Sequence, residues 1–424
     1  MNSSIDAAIR WPYLTEHLEG IGGDIKRHKE DFFVEELPHY HPCGEGTHVY
    51  AFIEKKGLST MDAVVKIGRA LHVPHQQIGY AGLKDTHAVT RQWVSVEHVD
   101  PSVVAGMQIK NVRVLEISRH GNKLRTGHLK GNRFVIKIRN LDLSRITDYE
   151  QAQQRVDEIM EILVQRGVPN YYGPQRFGNR YDSHLLGGAI INRNVDQFID
   201  MLLGLPDSTL DGSVEFVARS FYEQGQFEKA YDAWPKSYHS HRRALRCLVN
   251  ARERQREDPK RIAFNRIDKN MKRLYVSAFQ SDLFNQVLAR RMPEIDVIWD
   301  GDLAWKHDSG ACFLVEDAQV EQVRCDRFEI SPSGPLFGSR MSEPTDRPGE
   351  IEQGALAQTG LGPDDFKAEN GARIRGARRP LRFQPRDVTS SYDEDDHGSY
   401  LELRFELPSG CYATTLLREI IKSA

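Results

Sequence analysis

The stretch GYAGLKDTHAVTRQ, residues 79 to 92, sets one carboxylate, Asp85, between an apolar run and an alternating run. The preceding QIGYAGL is typical of a strand that ends in small residues, so we expect KDTHAVT to form a loop at a strand end. A side chain on such a loop can project into a cleft. An ionised carboxylate placed there can act as a nucleophile or a general base. The structural alternative is a turn or helix-capping aspartate, which the residue type alone favours.

Other chemistries find less support in the residues. A glycosidase needs two cooperating carboxylates, and no partner motif for Asp85 is evident. His87 is too close in sequence to Asp85 to favour a serine or cysteine nucleophile with an acid-oriented histidine. The segment HYHPCGEGTH also holds metal-ligating residue types, but their spacing matches no zinc pattern, and we expect no metal; they are His39, His41, Cys43 and His48.

Hydrophobic periodicity predicts the elements that position this loop. In LSTMDAVVKIGRALHV, Ser59 and Asp62 have the spacing of a capping box. The same segment predicts one apolar helix face made of Met61, Val64, Val65 and Leu71. A second helix is predicted over YEQAQQRVDEIMEILVQR, where Gly167 and Pro169 end it. RFVIKIRN and YLELRFELP alternate as strands do.

The character of the chain changes between about residues 180 and 385, which contain Pro/Gly-rich stretches and fewer long periodic segments. We expect a separate inserted module there. The acidic SYDEDDHGSY, residues 391 to 400, is interpreted as a solvated turn before the last strand.

Composition excludes few classes of protein but indicates the size of the core and the cellular compartment. The chain has 424 residues, 39% of them hydrophobic, which is enough for a sizeable core. No basic-then-apolar leader and no long apolar run is present, so we expect a cytoplasmic protein with no membrane span. Its five cysteines are scattered without a C-x-x-C pair, and we interpret them as reduced thiols.

Local charge points to a polyanion, although 57 basic against 60 acidic residues give a net charge of only −3. Residues 118–140 and 371–386 contain no acid and concentrate lysine and arginine. A solvated charged face is the alternative, but segregated cations in a net-acidic chain favour phosphate binding. Histidine and phenylalanine lie among the cations of the first stretch, which suits RNA with its unstacked bases.

The opening stretch resembles the catalytic motif of the TruD family of tRNA pseudouridine synthases, A-G-x-K-D-x-x-A-x-T-x-Q. Further segments resemble motifs of that family in the same order: IKRHKEDFFVEE, LKGNRF, GVPNYYGPQRFGNR, SAFQSDLFNQVLARR and LPSGCYATTLLREI. The resemblance runs from about Lys26 to Glu419. Three positions depart from it, with Lys29 for a usual proline, Thr86 for a basic residue and Tyr412 for a common phenylalanine.

The resemblance implies an α/β (α+β) fold, with a mixed, mainly antiparallel sheet flanked by helices and interrupted by an insertion domain. We therefore expect a catalytic domain over 1–166 and 386–424, with the insertion over 167–385. The implied activity is isomerisation of uridine 13 in the D arm of tRNA, without a cofactor. The implied partner is tRNA, and we expect a monomer.

The resemblance also implies roles for single residues. Asp85 would attack C1′ or remove the C2′ proton, and the sequence leaves both routes open. A cation beside Asp85 would be Lys26 or Arg418, with a helix ion pair as the alternative for Arg418. The flipped nucleotide would contact three residues, the aromatic ones by stacking: Phe32, Asn132 and Tyr412. Two other functions stay open, a synthase acting on a different RNA uridine and a non-catalytic RNA-remodelling protein.

Overall fold

The computed structural model describes residues 11–366 and 374–422, which form two compact units. The first, called the sheet unit, comprises 13–169 and 383–422 of the described residues. The second, called the helical unit, comprises 11–12 and the described residues of 170–382.

The strands are β1 (Phe32–Pro38), β2 (His48–Lys56), β3 (Gly79–Tyr80), β4 (Val89–Glu97), β5 (Val112–His120), β6 (Leu129–Ile138), β7 (Val168–Pro169), β8 (Leu303–Lys306), β9 (Cys312–Leu314), β10 (Ile330–Leu336), β11 (Ala377–Pro380), β12 (Arg382–Phe383), β13 (Arg386–Asp395) and β14 (Gly398–Pro408). The helices are α1 (Thr60–Leu71), α2 (Pro101–Ala105), α3 (Tyr149–Arg166), α4 (Ser183–Ile191), α5 (Val195–Leu203), α6 (Ser213–Glu223), α7 (Phe227–Ala233), α8 (His239–Glu253), α9 (Pro259–Arg266), α10 (Lys269–Arg291), α11 (Ala318–Asp326), α12 (Asp346–Ala357) and α13 (Ala413–Ile421).

The sheet unit is built on a sheet in the order β13-β14-β6-β1-β4-β2-β5, with β3 paired to β4. The β1–β4 pair is parallel, whereas the other pairs are antiparallel. The predicted mixed, mainly antiparallel sheet with flanking helices is thus confirmed.

One face of this sheet is apolar because the strands alternate. Phe134 of β6 lies opposite Val34 of β1 and Phe405 of β14, and all three are buried. Further along the same face, Ile53 of β2 belongs to a core cluster with Val64 of α1. Burying such side chains is the main stabilising contribution to a fold of this kind.

The opposite face carries ion pairs across neighbouring strands. Arg133 of β6 contacts Glu35 of β1 at 3.2 Å and Glu406 of β14 at 2.8 Å. Arg91 of β4 contacts the same Glu35 at 3.3 Å and Glu54 of β2 at 2.9 Å. Charged residues directly opposite on adjacent strands attract when their signs differ, so these pairs add to the stability of this face. The same face also buries a smaller apolar cluster that includes Tyr50 of β2 and Trp93 of β4.

The two predicted helices of the sheet unit are confirmed. Helix α1 begins after Ser59, whose side chain accepts a hydrogen bond from the Asp62 amide as the capping box requires. The predicted apolar face was wrong at Met61, which is 42% exposed, because Ala63 and Ile67 turn toward the sheet instead. Helix α3 ends before Gly167, whose φ of 89° favours glycine.

The acidic segment 391–400 forms the end of the hairpin of β13 and β14. Its turn, Asp396 and His397, is exposed and precedes the last strand as predicted, but the rest of the segment is strand. Asp395, the last residue of β13, has two cationic partners on β6 and just after it. Arg139, itself buried, contacts Asp395 at 2.7 Å, and Lys137 contacts it at 2.8 Å. Arg139 also pairs with buried Asp31 at 2.8 Å.

The helical unit contains long helices where the sequence predicted few periodic segments. Helix α10 alone runs for 23 residues. Its pattern is hard to recognise because the polar residues Gln280, Ser281 and Asn285 are buried among apolar ones. The unit also has a four-stranded sheet in the order β11-β10-β8-β9.

We predict that Asp395→Asn lowers the unfolding free energy at pH 7. Hydrogen bonds from Arg139 and Lys137 hold the pKa of Asp395 well below its ordinary value of 3.8. A depressed acid pKa adds stability above the unfolded pKa and loses it as pH falls. The wild-type advantage in urea unfolding should therefore be constant from pH 7 to about 5 and shrink below about 4. Asp396→Asn is the control, and an advantage that persists unchanged at pH 3.5 would contradict this assignment.

Candidate functional site

The predicted strand-end loop lies between β3 and β4. Its two ends are fixed, since the Ala81 carbonyl accepts from the Gly127 amide at 2.8 Å and the Ala88 carbonyl from the Gly57 amide at 3.1 Å. Both alanines are fully buried. Between them Asp85 extends outward with its side chain 47% exposed. The loop therefore presents one carboxylate from a fixed base.

Lys26 is the ion-pair partner of Asp85 among the described residues. Its Nζ lies 3.4 Å from Asp85 Oδ2 and 4.1 Å from the centre of the Phe32 ring. Lys26 has a φ of 61°, a left-handed conformation that costs a lysine about 1 kcal/mol or more. Such backbone strain persists where the surroundings enforce it and is concentrated at functional sites. The structure thus brings together three predicted site residues.

Phe32 has little open surface for a nucleotide. It is 1% exposed, with Lys26 over its ring and Phe134 packed edge-on at 6.2 Å. Its visible role is to support the Lys26 ammonium, whose charge is attracted to the aromatic face.

Lys55 of β2 is a second cation at this loop, and sequence reasoning missed it. Its Nζ donates to the Asp85 carbonyl at 3.1 Å and to the Leu58 carbonyl at 2.6 Å. Lys55 is fully buried, and this burial lowers its pKa to about 8, opposed in part by the charge of Asp85. The signal was available in HVYAFIEKK, because Lys55 falls in the apolar phase of Val49, Ala51 and Ile53.

Asn132 of β6 lies opposite Glu36 of β1 and is half-buried. Its Oδ1 accepts a hydrogen bond from Lys84 Nζ at 2.7 Å, and the same Nζ lies 3.0 Å from Glu36 Oε2. Burial raises the pKa of Glu36, while the positive charge of Lys84 opposes the rise. Sequence reasoning selected Asn132 but missed both of these charged neighbours.

Tyr412 and Arg418 lie on the last helix of the sheet unit. Tyr412 is the N-cap of α13 and is 44% exposed, so its ring is available to a ligand. Arg418 lies 3.9 Å over the Tyr13 ring and 3.8 Å from Glu419. Glu419 in turn accepts hydrogen bonds from the Leu14 amide and from Thr15. The contacts of Arg418 thus match a helix ion pair, which the sequence analysis gave as the alternative to a role beside Asp85.

Most cations of the two basic stretches have internal partners. In the first stretch, Arg133, Lys137 and Arg139 pair with the carboxylates of Glu406, Asp395 and Asp31. In the second, Arg378 pairs with Glu352, and Arg382 is buried against Cys325. The first part of that second stretch, residues 371–373, lies outside the described residues.

Two exposed cations of the first stretch, Arg125 and Lys130, have side chains with no ion-pair or hydrogen-bond partner within the described part of the chain. Over that same part, no group of three or more His, Cys, Asp or Glu is placed to hold a metal ion. Nor does any described helix have the length and apolar character to cross a membrane.

Comparison with known proteins adds three findings. The family model for tRNA pseudouridine synthase D (TruD) matches residues 8–420. Proteins named tRNA pseudouridine synthase D from Syntrophotalea carbinolica and Geobacter sulfurreducens are 41% and 43% identical, with 97% of this chain and 99% and 96% of theirs covered. A solved structure from Methanosarcina mazei assigned to the same enzyme is similar with a TM-score of 0.84 and 26% identity, covering 99% of this chain and 98% of that one.

We predict a pH signature for the buried Lys55. Between about pH 8 and 10.5 the unfolded chain keeps a proton on Lys55 that the folded chain has released. The unfolding free energy of the wild type should therefore rise with pH relative to Lys55→Met, by about 1–3 kcal/mol between pH 7 and 10. Urea unfolding at both pH values measures it. The exposed neighbour is the control, and Lys56→Met should show no such trend; a constant difference for Lys55→Met would contradict the burial of its charge.

Proposed function

This chain belongs to the TruD family of tRNA pseudouridine synthases, and we propose that it converts uridine to pseudouridine in tRNA with Asp85 as its catalytic carboxylate. One observation carries the proposal. A half-exposed carboxylate is fixed on a strand-end loop 3.4 Å from the Lys26 ammonium, with the buried Lys55 ammonium behind its backbone. This is a carboxylate kept in place and exposed to a ligand.

The reaction needs little more than such a group. The N1–C1′ bond of uridine breaks, the base turns, and a C5–C1′ bond forms; C5 then loses its proton to solvent and N1 takes one up. The reaction is a net isomerisation, so no electrons are exchanged with a cofactor. Asp85 acts either by attacking C1′ or by removing the C2′ proton, and both routes require the ionised carboxylate.

A cation beside the carboxylate holds it in place. The Lys26 ammonium lies 3.4 Å from Asp85 Oδ2, and we assign Lys26 rather than Arg418 as the charge partner of Asp85. The ring of Phe32 fixes where that charge lies.

The target base must leave its stack to reach Asp85, at a cost of a few kcal/mol. We assign the exposed ring of Tyr412 as the surface that compensates by stacking. The Phe32 ring packs against the Lys26 ammonium and keeps it in place. We assign Asn132 as a contact of the flipped nucleotide. Arg125 and Lys130 are our candidates for phosphate contacts, since both are exposed in the first basic stretch.

Finer points rest on the family resemblance. We propose uridine 13 in the D arm of tRNA as the target. We also propose that the family's insertion domain corresponds to 167–385, close to the span of the helical unit. We propose a cytoplasmic location, which the free thiols of all five cysteines support. We also propose a monomer, since Asp85, Lys26 and Lys55 all belong to the sheet unit and the site needs no residue of a second copy.

We predict that Lys26→Met lowers the rate of pseudouridine formation roughly 10- to 1,000-fold, as expected when one charged group at a reacting centre is lost. The thermal midpoint should hardly change, because exposed ion pairs contribute about 0–1 kcal/mol. Tritium release from tRNA labelled at uridine C5 measures the rate. Arg27→Met is the control. If Lys26→Met keeps the wild-type rate while Arg418→Met lowers it, Arg418 rather than Lys26 is the charge partner of Asp85.

We predict that Asp85→Asn abolishes turnover while folding and tRNA affinity survive. The substitution keeps size and hydrogen bonding but removes the charge that either route requires. Tritium release, tRNA binding and the thermal midpoint should be measured on the same preparation. Asp142→Asn, which changes a turn aspartate of the same unit, is the matched control. Substantial turnover by Asp85→Asn would refute the catalytic assignment, and a collapsed midpoint would favour a purely structural aspartate.

A further inference from the structure

The side chain before Asp85 turns the opposite way, into the core. The side chains of Lys84 and Glu36 are only 4% and 1% exposed, and their charged atoms lie 3.0 Å apart. A buried pair of this kind is costly to desolvate and adds little net stability compared with an apolar pair. Its presence next to Asp85 therefore calls for a role other than stability.

The main chain at Lys84 and just before it is fixed as well. The Lys84 amide donates to Thr60 Oγ1 at 2.9 Å, at the first residue of α1. Thr60 Oγ1 donates to Gln92 Oε1 at 2.9 Å, and Gln92 Nε2 donates to the Gly82 carbonyl at 3.3 Å. Lys84 consequently enters the core from a backbone that α1 and β4 hold in place.

This arrangement determines which way the Asn132 amide faces. An ammonium has only donors, so the Asn132 atom 2.7 Å from Lys84 Nζ is the oxygen. The amide nitrogen then points away from Lys84, and none of the described residues accepts its hydrogen bonds. Asn132 is half-buried, which leaves this nitrogen as a donor without an acceptor beside the Asp85 loop.

We propose that Lys84, with Glu36 as its counter-ion, is a positioning residue that makes Asn132 a donor only and thereby selects uracil over cytosine. At C4 uracil carries a carbonyl, which accepts a hydrogen bond, whereas cytosine carries an amino group, which donates. A fixed amide donor can hydrogen-bond to the uracil carbonyl. Against cytosine, the same donor faces the amino group, which is also a donor, and no hydrogen bond forms. The inference rests on the proposed function, since it assigns the base to the site of Asp85.

The test measures discrimination rather than activity alone. Variants are made in an Asp85→Asn background, which prevents turnover, and bound to tRNA transcripts with uridine or cytidine at the modified position. The parent should bind the uridine transcript roughly 10-fold more tightly or better, because a buried donor facing a donor loses its hydrogen bond. Lys56→Met is the control and should keep the same preference for the uridine transcript over the cytidine transcript.

Two variants probe the arrangement. The double variant Lys84→Met with Glu36→Met removes both buried charges together and frees the Asn132 amide to turn. Its affinities for the uridine and cytidine transcripts should therefore differ by no more than about twofold. Asn132→Asp replaces the donor by an acceptor and should shift the preference toward cytidine. Overall tRNA affinity should change little in both, since phosphate contacts supply most of it.

The outcomes separate the two proposals. If the wild type makes pseudouridine but the folded double variant keeps the full preference for uridine, the positioning role is overturned and the proposed function stands. If the double variant does not fold, Asn132→Asp decides, and an unchanged preference for uridine overturns the inference. A wild type that makes no pseudouridine in any tRNA overturns both.

Discussion

The opposite orientations of two consecutive side chains, Lys84 inward and Asp85 outward, are the constraint on which this site depends. Lys84 is held by Glu36 and by its contact with Asn132, while its amide is bound to Thr60. The loop can expose a carboxylate because its neighbour is fixed in the core. Lys55 adds a second anchor through the Asp85 carbonyl. Position, rather than an unusual residue type, makes Asp85 a candidate catalyst.

The sheet supports this arrangement by separating two kinds of charge. On its outer face, residues such as Arg133 and Glu35 form ion pairs with each other. Some cations that the sequence suggested for RNA binding are therefore already paired with carboxylates. On its inner face the charged groups are few and buried, and they lie at the Asp85 loop. Because a charge in a low-dielectric interior interacts strongly with its neighbours, Lys55 and Lys84 can act on the site without touching solvent.

Local pattern predicted much of the sheet unit, since α3, β6 and β14 bury most of the residues that their periodicity indicates. It also selected Asp85, and the family motifs added Lys26, which the structure joins to Asp85 in an ion pair. What it missed depends on contacts distant in sequence. Local pattern did not predict the ion pair of Asp395 with Arg139, and buried polar residues obscured the helical pattern of α10. Family motifs, rather than spacing, supplied the nucleotide and the roles of Asn132 and Tyr412.

The catalytic role of Asp85 is tested most directly by mapping pseudouridine across all tRNAs of cells that lack the gene, complemented with the wild type or with Asp85→Asn. We expect that deletion removes the pseudouridine at position 13, that the wild type restores it, and that Asp85→Asn does not, although both proteins accumulate equally. Restoration by Asp85→Asn, or a deletion strain that keeps every tRNA pseudouridine, would contradict it.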